Sequence, residues 1–136
     1  MLITEFVKQL DELSISSAVK DKLISERIKR KYMPVMEKKE KLNIILQKSI
    51  IEDNEGKYID TIFNEIYFIN MIFLSYTDLT MKPNDDDFTS PLMYDIIKSS
   101  GIDEEILPRI GKDLLEYRFM NEQLISTWEK RKEVIR

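Results

Sequence analysis

The residues whose chemistry stands out first form a basic run just before the first proline of the chain. Lysine and arginine side chains contact phosphate oxygens, and a neighbouring tyrosine ring can stack on an unpaired base. The same cations also attract the carboxylates of an acidic protein surface. The run therefore predicts either nucleic acid or an acidic protein as its partner, and its members are Arg27, Lys29, Arg30, Lys31 and Tyr32.

The distribution of charge along the chain favours the protein partner. The net charge is −4, although residues 20–48 carry ten Lys and Arg against four Asp and Glu. Residues 49–136 carry ten basic against eighteen acidic side chains. Blocks of charge on helices are mostly solvated faces, and each adds little stability to the ion pairs it forms. We expect the basic segment to meet acidic protein, in the same fold or in a neighbouring copy, and nucleic acid is the alternative.

Side chains that most enzymes use for catalysis are scarce. The chain has no cysteine and no histidine, which excludes thiol catalysis, Ser–His–Asp triads and Cys/His zinc sites. It has no glycine-rich nucleotide-binding loop and no G-x-S-x-G motif. Acid pairs occur at turns and helix starts, where the helix dipole favours carboxylates anyway. We expect a non-enzymatic protein with no catalytic residue, no cofactor and no small-molecule substrate; the acid pairs are Glu52/Glu55, Asp60/Glu65 and Glu104/Glu105.

Two acidic stretches were compared with metal-binding loops, and neither fits. If Gly56 took the sixth position of a calcium loop, the first and twelfth ligands would be Ile51 and Ile62, which cannot coordinate a cation. Residues 85–87 are consecutive aspartates, and adjacent side chains do not converge on one ion without a special loop. We expect no metal ligand in this chain.

The element that must position these residues is the longest apolar segment, Tyr58 to Leu79. Its apolar residues recur at three- and four-residue steps, the period of a helix face, and others fill the remaining faces. Polar residues interrupt it too often for a membrane helix of ~20 apolar residues. Its β-branched and aromatic content leaves a strand pair as the alternative. We predict a buried central helix with Ile62, Phe63, Ile66, Ile69 and Phe73 in the core.

The rest of the pattern predicts short capped helices around the central one. Pro34 either starts a helix or kinks a longer one. Asn54 and Gly56 mark a turn, and the two prolines and three aspartates of residues 80–91 mark a loop. We expect an all-α, single-domain bundle of five to six helices over residues 1–136. The predicted surrounding helices are 4–13, 18–32, a segment after Pro34 that reaches Ile50, 92–100, a short turn capped by Asp103, and 112–132.

Two methionines beside Pro34 add adaptable apolar surface to the basic run. Rim ion pairs contribute little affinity, so apolar residues presented at this bend would supply most of it. An acidic half and a basic segment on one chain suit head-to-tail contacts between copies, which close into rings when the rotation permits. The predicted partner-binding residues are Arg27, Lys29, Arg30, Lys31, Tyr32, Met33 and Met36, and the predicted partners are copies of the chain and other assembly components.

Two segments of the second half carry a resemblance to known proteins: YTDLT, Tyr76 to Thr80, and PLMYDIIKSSGIDEEIL, Pro91 to Leu107. With the overall composition, they resemble small helical neck, connector and assembly proteins of bacteriophages that infect low-GC bacteria. The resemblance implies a virion assembly component such as a head–tail connector, located in the host cytoplasm during assembly or in the virion. It assigns no functional residue.

The alternative function is a small phage-encoded or bacterial regulator or inhibitor that binds nucleic acid or a nucleic-acid enzyme. The first ten residues lack the basic-then-apolar pattern of a signal peptide, and we expect no membrane partner.

Overall fold

The computed structural model describes residues 1–12 and 16–135, and these residues are mostly helical. The predicted helical character is confirmed, but a small antiparallel sheet means that the chain is not purely α. Within the described ranges, none of the helices combines the length and the apolar character needed to cross a membrane. The elements are α1 Ile3–Asp11, α2 Ser17–Ser25, α3 Val35–Ser49, β1 Ile50–Asp53, β2 Gly56–Ile59, α4 Thr61–Tyr76, α5 Pro91–Ser100, α6 Ile102–Ile110 and α7 Lys112–Ile135.

The helix α4 lies at the centre of the fold, as predicted, but it is shorter than the apolar segment that contains it. It begins after Asp60, whose carboxylate accepts a hydrogen bond from the Phe63 amide at 2.9 Å. Such a cap satisfies one of the amides that the first turn of a helix leaves free. The helix packs against α3 and α5. Its buried apolar residues are Phe68, Ile69, Met71, Ile72, Phe73 and Tyr76.

The first turn of α4 departs from the prediction. Ile62 is 73% exposed and Phe63 is 38% exposed, so neither belongs to the core, and Ile66 is only half-buried. Asn64 lies inside instead, because its amide group bonds the Ser49 hydroxyl and the Asn121 side chain. A hydrogen-bonded amide is tolerated in the interior, whereas periodicity analysis counts it as a surface residue.

The predicted turn over residues 52–57 is wider than expected and forms a β-hairpin. Ile50 pairs with Ile59 and Asp53 with Gly56 in the antiparallel register. Gly56 has a φ of 120°, a value that favours glycine, and the Asp53 carboxylate accepts the Glu55 amide at 2.8 Å. The expected start of the central helix at Tyr58 was therefore wrong, because that residue lies on the second strand.

The second helix is shorter than predicted. It ends at Ser25 rather than near Tyr32, and residues 26–34 form an irregular segment that crosses the end of α4. Ile28 in this segment makes an isolated antiparallel bridge with Thr77. Pro34 is the N-cap residue of α3, so it starts a helix and does not kink one.

The second half largely follows its turn signals. The Ser90 hydroxyl accepts the Met93 amide at 3.1 Å, and Gly101 ends α5 with a φ of 75°. The helix α6 is longer than the predicted short turn and contains Pro108 near its end. Asp103 lies in the first turn of α6 and is not its cap. The helix α1 ends at Asp11, and its expected last residue, Leu13, lies outside the described residues.

The directions of the helices decide which residues share an end of the molecule. The helix α4 runs antiparallel to α3 and to α7, so the start of α3, the end of α4 and the start of α7 come together. The hairpin lies at the other end of the α3–α4 pair. The contacts that establish these directions are Lys41–Ser75 and Ser49–Asn64 between α3 and α4, and Tyr76–Asp113 and Asn64–Asn121 between α4 and α7.

Candidate protein-binding surface

Part of the basic run caps the C-terminal end of α4. The backbone amides of Lys29 and Arg30 donate to the carbonyl of Tyr76 at 2.9 and 3.4 Å. The Lys29 ammonium donates to the Leu74 carbonyl at 3.3 Å, and the Arg30 guanidinium donates to the Ser75 carbonyl at 2.9 Å. The last carbonyls of a helix lack partners within it and form the negative end of its dipole. Two of the predicted partner-binding residues are therefore engaged within the fold.

The arginines of the run also hold carboxylates of the same chain. Arg27 forms an ion pair with Asp78 at 3.1 Å, and the Arg30 guanidinium forms a two-pronged ion pair with Glu37. The hydrogen bond from Arg30, assisted by Lys41, lowers the pKa of Glu37 from 4.5 to about 2. Both arginine charges are thus compensated inside the protein.

Met33 does not contact solvent, contrary to the predicted partner-binding set. Its side chain is completely buried, and its backbone amide donates to the Asp113 carboxylate at 2.9 Å. Asp113 also accepts hydrogen bonds from the buried Lys38 ammonium and the Tyr76 hydroxyl, each at 2.6 Å. Lys38 reaches Glu116 at 3.1 Å as well. The segment that follows the basic run is therefore anchored on a buried polar network.

The network consists of an ionised pair and a neutral tyrosine. Burial alone would raise the pKa of Asp113, but hydrogen bonds from Lys38, Tyr76 and Met33 outweigh it and lower that pKa. Burial would lower the pKa of Lys38, and its two carboxylate partners raise it instead. Burial and the neighbouring Asp113 raise the pKa of Tyr76. These charge-assisted bonds join α3, α4 and α7 at one end of the molecule.

The side chains around this anchor point outward. Tyr32 is 63% exposed, Val35 is 51% exposed and Met36 is 61% exposed, while Lys31 and Lys39 are also exposed. Val35, Met36 and Lys39 lie three or four residues apart on one face of α3. We call these five residues, Lys31, Tyr32, Val35, Met36 and Lys39, the α3 patch.

The α3 patch keeps three of the seven predicted residues and adds two. Lys31, Tyr32 and Met36 belong to it, whereas the others serve the capping, ion-pair and core contacts described above. Val35 and Lys39 were missed, although their helical spacing from Met36 was visible in the sequence. The reason is that Pro34 was treated as the edge of the surface, when it is the point from which α3 carries the surface onward.

Two surface cavities lie near these residues. One, of about 280 Å³, is lined by four cations, but Arg30 pairs with Glu37, Arg109 pairs with Asp21, and Lys29 contacts the end of α4. The other, of about 540 Å³, separates α3 lysines from aspartates of the loop before α5. The first cavity is lined by Ser25, Ile28, Lys29, Arg30, Lys31 and Arg109, and the second by Lys41, Ile44, Lys48, Met71, Leu74, Ser75, Asp86, Asp87, Phe88 and Thr89.

Comparison of the chain with known protein families, with curated proteins and with solved structures found no match.

Proposed function

We propose that this chain is a non-enzymatic assembly protein that acts through protein–protein contacts. Its partners are other copies of itself and further assembly components. The observation that carries the proposal is the α3 patch, in which three large apolar side chains stand at least half exposed beside two lysines. Exposed apolar groups with a charged rim are typical of interaction sites.

The support beneath the α3 patch favours binding. Met33 and the Asp113 network hold the loop that presents Tyr32, and the capping contacts fix the loop to the end of α4. A surface that is already ordered loses little conformational entropy on binding. Tyrosine and methionine are also enriched at the centres of protein interfaces. The lysines at the rim select an acidic surface as the partner.

The specific setting that we propose is a bacteriophage particle. There the chain would act as a head–tail connector or another virion component, assembled in the host cytoplasm. This part of the proposal rests on the resemblance carried by Tyr76–Thr80 and Pro91–Leu107.

Replacing Tyr32 and Met36 together by serine is expected to abolish self-association. The wild-type protein should show a molar mass by light scattering that rises with concentration to a many-copy species. The variant should remain monomeric, because the apolar centre of the contact is gone. Its melting temperature should be nearly unchanged, since both side chains are mostly exposed.

The matched control is the pair Leu115→Ser and Phe119→Ser on the outer face of α7. These residues are 73% and 59% exposed, so the control removes a similar apolar area elsewhere. It should leave self-association intact. A wild-type protein that stays monomeric at all concentrations would contradict the proposal, as would a Tyr32/Met36 variant that assembles normally.

The second candidate is a regulator that binds nucleic acid, and the cation-lined cavity beside Lys29 and Lys31 favours it. Phosphate contacts by these lysines would give an affinity for mixed-sequence DNA that falls steeply with salt. A sub-micromolar DNA complex at ~150 mM salt would replace the assembly proposal with this one.

A further inference from the structure

The end of the molecule opposite the α3 patch carries a second exposed patch. The helix α3 has 15 residues, which corresponds to roughly 22 Å of helix rise, and the hairpin follows its far end. The hairpin turn exposes three carboxylates, and Tyr58 on β2 and Ile62 in the first turn of α4 are 40% and 73% exposed. We call Glu52, Asp53, Glu55, Tyr58 and Ile62 the hairpin patch.

The hairpin itself is built in a way that a partner would stabilise. A sheet of only two strands is marginally stable in water, and neither strand has a further neighbour within the described part of the chain. Ile59 is buried, whereas the cross-strand pair Ile51 and Tyr58 points to the other face and is only partly covered. A contact on that outer face would cover apolar surface that the fold leaves open.

The two patches have a similar composition and opposite charge. Each has apolar residues beside charged ones, with Lys31 and Lys39 in the α3 patch and three carboxylates in the hairpin patch. Lys57, which pairs across the hairpin with Glu52, and the exposed cations of α7 reduce the negative charge at this end. The excess of acid is therefore local to the turn, where a partner's lysines would meet it.

We infer that the α3 patch of one copy docks on the hairpin patch of the next copy. This inference rests on the proposed function and specifies the contact between copies. The apolar side chains meet at the centre, and Lys31 and Lys39 face Glu52 and Glu55 at the rim. Because the two patches differ and lie at opposite ends, each copy binds two neighbours, and the series closes into a ring or extends as a filament.

Two charge-reversed variants test the contact. The first carries Lys31→Glu and Lys39→Glu, and the second carries Glu52→Lys and Glu55→Lys. Each variant alone brings like charges together at every contact, and its dissociation constant should rise by at least about tenfold. An equimolar mixture restores opposite charges at both contacts, so its molar mass by light scattering should return to the wild-type value.

The control variant is Lys130→Glu with Arg131→Glu, which reverses two exposed cations near the end of α7 and should leave the wild-type association unchanged. Circular dichroism and melting curves check that every variant is folded, and Lys31→Gln with Lys39→Gln provides a milder version of the first variant. A second variant that still assembles alone would overturn the inference, as would a mixture that stays monomeric or stops at a dimer. In those cases the wild-type many-copy species leaves the proposed function standing, whereas a monomeric wild-type protein would overturn both.

Discussion

Replacing Asp113 by alanine is expected to lower the free energy of unfolding by about 3–5 kcal/mol, because the Lys38 ammonium would remain buried without its closest carboxylate. The Tyr76 hydroxyl and the Met33 amide would lose their acceptor in the same step. Chemical denaturation at pH 7 measures this loss. The irregular segment that presents the α3 patch should also become less ordered.

The matched control for this prediction is Glu116→Gln. Glu116 also pairs with Lys38, but its side chain is 54% exposed, so its loss should cost only ~0.2–1 kcal/mol. Adding Lys38→Met to the Asp113→Ala variant should recover part of the stability, because the unpaired charge is removed with its partner. Equal losses for Asp113→Ala and Glu116→Gln would show that burial does not set the strength of this network.

Replacing Phe73 by alanine is expected to cost about 3–5 kcal/mol, since its ring is completely buried in the middle of α4. Phe63→Ala on the same helix is the control. The sequence pattern alone assigned Phe63 to the core and would predict the same cost, but 38% of this residue is exposed. It should therefore lose clearly less stability than the Phe73 variant. Similar losses for the two variants would mean that the first turn of α4 is part of the core after all.

The parts of the fold that were predictable from the sequence are those set by local backbone chemistry. Ser90 caps a helix, Gly101 ends it in a left-handed conformation, and Pro34 cannot lie inside one. The buried middle of the central helix, around Ile69 and Phe73, also follows from hydrophobic periodicity. These features depend on residues within a few positions of each other.

The features that were missed depend on contacts between distant residues. Lys38 was assigned to the surface because lysine is rarely buried, and its partner Asp113 lies 75 positions further along the chain. Asn64 is inside only because Asn121 and Ser49 meet it there. The candidate surface was displaced for the same reason: nothing near Lys29 or Arg30 in sequence reveals that they cap α4.

Cross-linking of two introduced cysteines tests most directly whether the chain assembles through these two ends. The chain has no cysteine of its own, so thiols placed at Lys39→Cys and Glu55→Cys report only the intended positions. Both residues are exposed rim positions, and their ion pairs contribute little to affinity. With a short bismaleimide, the double variant is predicted to give a ladder of covalent oligomers on a denaturing gel. Each single variant alone should stay monomeric, and a mixture of the two should give a dimer containing one of each. Self-cross-linking of the Lys39→Cys variant as fast as that mixture, or no cross-link in any sample, would contradict the account.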